Sequence, residues 1–106
     1  MDITTTTNEV IEARKKLADA TITLMEAERT LDLAKAKLVL EDAEYMALKN
    51  EGQRSAYVQQ KLGEQVAAIE GLKAGKVIAS TDLAIAEDKV RCAKYLIIAS
   101  AGKLVA

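Results

Sequence analysis

The chain has 106 residues, of which 50% are apolar and 3% aromatic, and it contains no proline and no histidine. A chain of this length forms one domain at most, and a composition rich in Ala, Leu, Glu and Lys is typical of long helices rather than sheets. Fifteen basic and sixteen acidic residues give a net charge of −1. This balance provides no overall field that would attract nucleic acid or an anionic membrane.

The ends of the chain and its single cysteine indicate a cellular location. The opening segment "MDITTTTNEV" has neither the basic start nor the apolar core of a secretory signal. Cys92 has no second cysteine to pair with, which favours a reducing compartment. The longest uncharged run near the end, residues 95–102, is far shorter than the ~20 residues that a membrane helix needs. We therefore expect a cytoplasmic protein that does not bind membranes.

The first half of the chain has the pattern of a helix over about residues 7–49. Thr6 followed by Glu9 fits a capping box that would start this helix. Large residues recur every seven positions, and alanines follow four of them by three residues, a pattern that suits an antiparallel coiled coil. The large residues are Val10, Leu17, Leu24, Leu31, Leu38 and Tyr45, and the alanines are Ala13, Ala20, Ala27 and Ala34.

The apolar pattern lapses in the middle of the chain. Continuing the first series past Leu48 reaches Gly52, Ser55 and Gln59, none of which is apolar. Asn50 with Gln53 three residues later can cap a new helix, and Gly52 can adopt positive φ at a helix end. The sequence therefore predicts a turn at about residues 49–54.

The second half predicts another helix, over about residues 54–102. Its seven-residue series is Leu62, Ile69, Lys76, Leu83, Val90, Ile97 and Leu104. Gly71 and Gly75 each cost about 1 kcal/mol in a helix interior, so a three-helix arrangement with a break near residues 71–80 is the alternative. The unbroken spacing across both glycines favours one continuous helix. Small residues also recur every four positions, which predicts close contact with another helix: Gly63, Ala67, Gly71, Gly75 and Ala79.

These patterns predict an all-α fold in which residues 1–106 form a single helical domain, an antiparallel two-helix hairpin. The residues expected to form its assembly seam are Leu17, Leu24, Leu31, Leu38, Leu83, Val90 and Ile97. Further apolar residues flank the seams, namely Ile11, Ile22, Met25, Val39, Met46, Val77, Ile78, Ile85, Leu96, Ile98 and Val105. A homodimer that forms a four-helix bundle would cover them, and a different protein partner would cover them equally well.

The sequence offers little for catalysis. Without histidine, the chain lacks the commonest general base and metal ligand. Cys92 follows Arg91, and a basic neighbour can activate a thiol. The favoured interpretation is nevertheless that Cys92 is a small, half-buried apolar residue of the helix. We therefore expect no catalytic residues, no metal site and no cofactor, and a protein that is not an enzyme.

Basic residues gather where the two ends of the hairpin would meet. Folding the chain near residue 51 brings the run Arg14, Lys15 and Lys16 beside Arg91 and Lys94. These five residues are candidates for contact with phosphate groups. Acidic residues interleave with them, and only one aromatic residue lies among them, so base stacking has little support. Nucleic acid is thus a possible partner but not the favoured one.

Residues 26–58, "EAERTLDLAKAKLVLEDAEYMALKNEGQRSAYV", resemble a stretch found in small coiled-coil proteins of bacteriophages. The matching positions are Lys49, Asn50, Glu51 and Arg54, between two helices. The resemblance implies a phage-encoded accessory protein that acts by binding, either on host machinery or within phage replication and recombination. The leading hypothesis is a non-enzymatic protein–protein interaction module, such as an inhibitor of a host protein. The alternative is a nucleic-acid-associated accessory protein for replication or recombination.

Overall fold

The computed structural model describes the backbone of residues 2–105 and the side chains of residues 2–101. This part of the chain consists of three helices, α1 (Ile3–Glu41), α2 (Ala43–Met46) and α3 (Glu51–Val105), and it contains no strand. The predicted all-α class is confirmed. Helix α3 runs without interruption across Gly71 and Gly75, so the alternative break near residues 71–80 does not occur.

Helix α1 starts earlier than predicted. The N–H of Thr4 and the hydroxyl of Thr5 both donate to the carboxylate of Asp2, each at 3.1 Å. Thr6 therefore lies inside the helix, where its hydroxyl donates to the carbonyls of Asp2 and Ile3. The predicted capping box of Thr6 and Glu9, and a helix start near residue 7, are wrong because Asp2 supplies the capping oxygen four residues earlier.

Helix α1 also ends earlier than predicted, at Glu41 instead of near residue 49. Asp42 has an extended backbone, with φ −83° and ψ 113°, and its carboxylate accepts a hydrogen bond from the N–H of Tyr45 at 3.0 Å. A residue that caps a new helix in this way must leave the preceding one. The turn predicted for residues 49–54 therefore begins at Asp42, includes the short α2, and ends where α3 begins at Glu51.

The start of α3 is capped by Asn50, as predicted. The side-chain oxygen of Asn50 accepts a hydrogen bond from the N–H of Gln53 at 2.8 Å, and the side chain of Gln53 accepts one from the N–H of Lys49 at 3.3 Å. Gly52 lies in the first turn of α3, and no glycine among the described residues has positive φ. The expectation of positive φ at Gly52 is wrong, because the Asn50 side chain caps the helix without a left-handed residue.

The chain divides into two compact units. The central unit, Ile22–Ala74, contains the end of α1, all of α2 and the beginning of α3. Because the chain reverses direction over residues 42–50, the two long segments of this unit run antiparallel. Its core consists of five buried residues, Leu24, Leu31, Leu38, Leu62 and Ile69. The three leucines of α1 are seven residues apart, so they belong to one face of that helix.

The terminal unit consists of Met1–Thr21 and Gly75–Ala106. Its buried residues are small, namely Thr6, Val10, Ala86 and Ala93, and small residues allow two helices to approach closely. An ion pair joins α1 to α3 here, with 3.8 Å between the Lys89 Nζ and the Glu9 Oε2. Leu17, Leu83 and Val90 are half-buried. Ile97 is 53% exposed, because the register indicated by the Glu9–Lys89 ion pair places it beyond the first residue of α1, Ile3.

Candidate interaction surface

Among the residues whose side chains the structure describes, large apolar side chains are more often exposed than buried. Fourteen of them are exposed, whereas eight apolar residues, two of them alanines, are buried. The central unit exposes Ile22, Met25, Leu33, Val39, Leu40 and Met46, and the terminal unit exposes Ile11, Val77, Ile78, Ile85, Tyr95, Leu96, Ile97 and Ile98. The predicted flanking residue Val105 lies outside the residues whose side chains are described.

A groove runs between α1 and α3 of the terminal unit. Ile78 and Ile85 line it and are 62% and 50% exposed. Small residues and charges of both signs complete the lining, namely Glu9, Glu12, Ala13, Lys16, Gly75, Ala79, Asp82, Ala86 and Lys89. An apolar groove with charged edges has the character of a surface that receives the apolar face of a helix.

The row of small residues for which the sequence predicts close contact with another helix is exposed over much of its length. Gly63 and Ala79 are half-buried, while Ala67, Gly71 and Gly75 are exposed. A Cβ atom added to Gly71 or to Gly75 would meet nothing within 4 Å. Within the chain, these two glycines make no close helix contact, so the predicted contact would have to come from another molecule.

The five candidate phosphate-binding residues all lie in the terminal unit and are all exposed: Arg14, Lys15, Lys16, Arg91 and Lys94. Arg14 and Lys94 line one shallow groove together with Val10 and Val90. Arg91 is held by Asp88 in an ion pair of 3.1 Å, which offsets its charge locally. Lys16 lies in the other groove, beside Glu12 and Asp82.

A cluster at the turn joins α2 to α3, and the sequence did not reveal it. The hydroxyl of Tyr57 donates to the carboxylate of Asp42, at 2.9 and 3.0 Å from its two oxygens. The rings of Tyr45 and Tyr57 are 6.3 Å apart at a tilt of 53°, and the Lys61 ammonium lies 5.6 Å from the centre of the Tyr57 ring. Asp42 thus caps α2 and anchors α3 at the same time.

This geometry shifts the pKa values of both partners. The pKa of Asp42 lies below its ordinary value of 3.8, chiefly because the N–H of Tyr45 and then the hydroxyl of Tyr57 stabilise the carboxylate. The pKa of Tyr57 is raised from 10.0 to about 12, first by its partial burial and then by the hydrogen bond to Asp42. Both shifts favour a neutral tyrosine that donates to an ionised aspartate over a wide pH range.

One signal could have pointed to this cluster. Asp42 is one of the residue types preferred at the N-cap of a helix, where its carboxylate accepts a hydrogen bond from the backbone N–H two or three residues later. Glu51 and Arg54, two of the matching positions within residues 26–58, also make contacts at the turn. A guanidinium nitrogen of Arg54 donates to the carbonyl of Leu48 at 3.3 Å, and the Arg54 side chain lies 3.6 Å from the Glu51 carboxylate.

Neither a metal site nor a membrane span is found among the described residues. They include no group of three or more acidic or cysteine side chains that could hold a metal ion. No stretch within their helices is long and apolar enough to cross a bilayer. Comparison with family models, with curated proteins and with solved structures found no match to this chain.

Proposed function

We propose that this protein is a non-enzymatic protein–protein interaction module. It acts as an antiparallel helical hairpin that pairs with a second copy in a four-helix bundle and presents helical surface to another protein. The observation that carries the proposal is the excess of exposed over buried large apolar side chains. Monomers rarely leave such surface uncovered, and helical bundles bury it between neighbouring helices.

The resemblance of residues 26–58 to phage coiled-coil proteins adds a biological setting to this proposal. In that setting the protein is an accessory factor or inhibitor that binds a host protein in the bacterial cytoplasm. The exposed apolar residues on α1 of the central unit suit such binding. For example, Ile22 and Met25 lie beside Glu26 and Arg29 on one helix surface, so an apolar centre is flanked by both charges, as in many interfaces.

The test is capture of partners from a nuclease-treated bacterial lysate, with a variant that places charges on this surface. The wild type is expected to recover one stoichiometric partner, and the double variant Met25→Glu, Val39→Glu is expected to lose it. The control Gln60→Glu, Gln65→Glu adds the same charge at two exposed polar positions of α3 and should retain the partner. Recovery of the bait alone, from a wild type that is also monomeric in sedimentation equilibrium, would contradict the proposal.

A second candidate function is binding of nucleic acid through the exposed basic residues of the terminal unit. If four of them contact phosphates, affinity for duplex DNA falls on the order of 100-fold between about 50 and about 200 mM salt. The measurement is fluorescence anisotropy with a labelled duplex. A variant with alanine at Lys15, Lys16, Arg91 and Lys94 should lose this binding. The matched control removes four exposed lysines of the central unit, Lys35, Lys37, Lys49 and Lys73. Equal affinities for the two variants would exclude this function.

A further inference from the structure

The groove of the terminal unit continues as a stripe along α3, which we call the Ile78 stripe. Its members alternate at spacings of three and four residues, so they lie on one face of the helix: Gly75, Ile78, Asp82, Ile85, Lys89, Cys92 and Leu96. Lys76 and Leu83, on the neighbouring face, are half-buried. By contrast, all seven members of the Ile78 stripe are exposed. Apart from the ion pair between Lys89 and Glu9, the chain itself leaves this second helix face without a partner.

The stripe is complementary to itself when it is reversed. Asp82 and Lys89 lie at equal distances on either side of the midpoint between Ile85 and Ala86, and they carry opposite charges. Gly75 and Leu96 are also equidistant from that midpoint, and one is the smallest residue while the other is large. When a second helix is reversed about this midpoint, its Lys89 falls opposite Asp82 and its Leu96 falls opposite Gly75.

We propose that a second copy of this chain binds the Ile78 stripe in antiparallel orientation, with the two-fold axis beside Ile85. This inference rests on the proposed function and specifies which face forms the dimer. A two-fold axis perpendicular to both helices pairs each residue of one copy with the residue of the other copy that lies equally far from the midpoint on the opposite side. Asp82 of each copy then lies beside Lys89 of the other, and Leu96 of each lies against Gly75 of the other.

The local structure favours this contact. A Cβ at Gly75 would meet no atom within 4 Å, so there is room for the Leu96 side chain of the other copy. Asp82 belongs to none of the ion pairs among the described residues, and Lys89 holds Glu9 only at 3.8 Å. Asp82 is therefore available to a partner, and Lys89 can exchange its long, half-exposed contact with Glu9 for the Asp82 carboxylate of the other copy. A surface that carries both signs in reversed order suits a copy of itself better than a uniformly charged partner.

Cysteine cross-linking tests the register. The proposed axis places Ile78 of one copy within one helical position, about 1.5 Å along the axis, of the native Cys92 of the other, whereas the two Cys92 residues are thirteen helical positions apart, or about 20 Å. Oxidised glutathione should therefore link Ile78→Cys into a disulfide dimer, at least ten-fold more than Val77→Cys or the wild type. Val77 is 65% exposed, similar to Ile78, but points about 100° away around the helix. Equal linkage of both variants, or a wild type that cross-links through Cys92, would overturn the register.

A charge reversal tests the same contact without oxidation. Asp82→Lys places like charges together at two symmetric positions, so the dissociation constant of the dimer should rise about ten-fold or more. Glu87→Lys makes the same change at an exposed position in the groove that Arg14 and Lys94 line, on the opposite side of α3 from the stripe, and should have little effect. Sedimentation equilibrium separates the two proposals. A monomeric wild type overturns self-assembly altogether, whereas a wild-type dimer that is unaffected by Asp82→Lys overturns only this interface.

Discussion

Replacing Leu31 with alanine is expected to lower the free energy of unfolding by about 2–4 kcal/mol. Leu31 is 8% exposed and lies in the middle of the central-unit core, between Leu24 and Leu38 on the same helix face. Removal of its side chain takes three buried carbons out of the core and leaves a cavity that two-helix packing can only partly close. Urea unfolding followed by circular dichroism, at one fixed chain concentration, measures the loss.

The matched control is Leu33→Ala, two residues further along the same helix. Leu33 is 65% exposed, so the same substitution removes little buried surface, and alanine favours the helix slightly. The free energy of unfolding should therefore change by less than about 0.5 kcal/mol. If both variants lost the same amount of stability, Leu31 would not lie in the core and the assignment of the buried face would fail.

The seven-residue spacing in the sequence is sufficient to identify the core face of α1. A repeat of seven is close to two helical turns, so residues with this spacing stay on one side of the helix. Leu24, Leu31 and Leu38 are accordingly buried. The spacing does not specify what lies opposite. Ile97 continues the series of α3 but is exposed, because the register indicated by the Glu9–Lys89 ion pair places it beyond the first residue of α1.

The only mark of the end of α1 in the local sequence is Asp42, which is not enough to locate it. Residues 42–49, "DAEYMALK", favour a helix throughout, and Asp42 is the only strong capping residue among them. What fixes Asp42 outside α1 is a pair of interactions, a cap on Tyr45 and a hydrogen bond from Tyr57, which lies fifteen residues away. Sequence periodicity cannot predict the hydrogen bond between Tyr57 and Asp42, since this bond depends on how α3 packs against the turn.

The glycines likewise do not identify the helix that contacts the candidate interface. A row of small residues predicts that a helix can come close, but it does not say whether that helix belongs to the same chain. In the structure Gly75 has open space where a Cβ would be. Identification of the second helix as another copy rests instead on the reversed order of Asp82 and Lys89, which becomes meaningful only once both are known to share an exposed face.

Titration of Tyr57 is expected to occur near pH 12, about two pH units above the ordinary tyrosine value. Its hydroxyl donates to the ionised Asp42 carboxylate at 2.9 Å, and loss of that proton would place two negative charges together. Because the folded-state pKa is raised, the contribution of this bond to stability is complete below pH 10 and is lost as the pH rises towards 12. Tyr57→Phe should remove this dependence from the alkaline stability profile.

The measurement is the tyrosinate absorbance of the wild type minus that of Tyr57→Phe, recorded across the alkaline range. The difference isolates one group, and its midpoint should lie near pH 12 while circular dichroism remains helical. Asp42→Asn keeps the shape of the carboxylate but removes its charge, so in that background the Tyr57 midpoint should move back towards pH 10. A midpoint near pH 10 in the folded wild type would mean that Tyr57 is neither partly buried at the turn nor hydrogen-bonded to Asp42, and the turn would then need another explanation for ending α1 at Glu41.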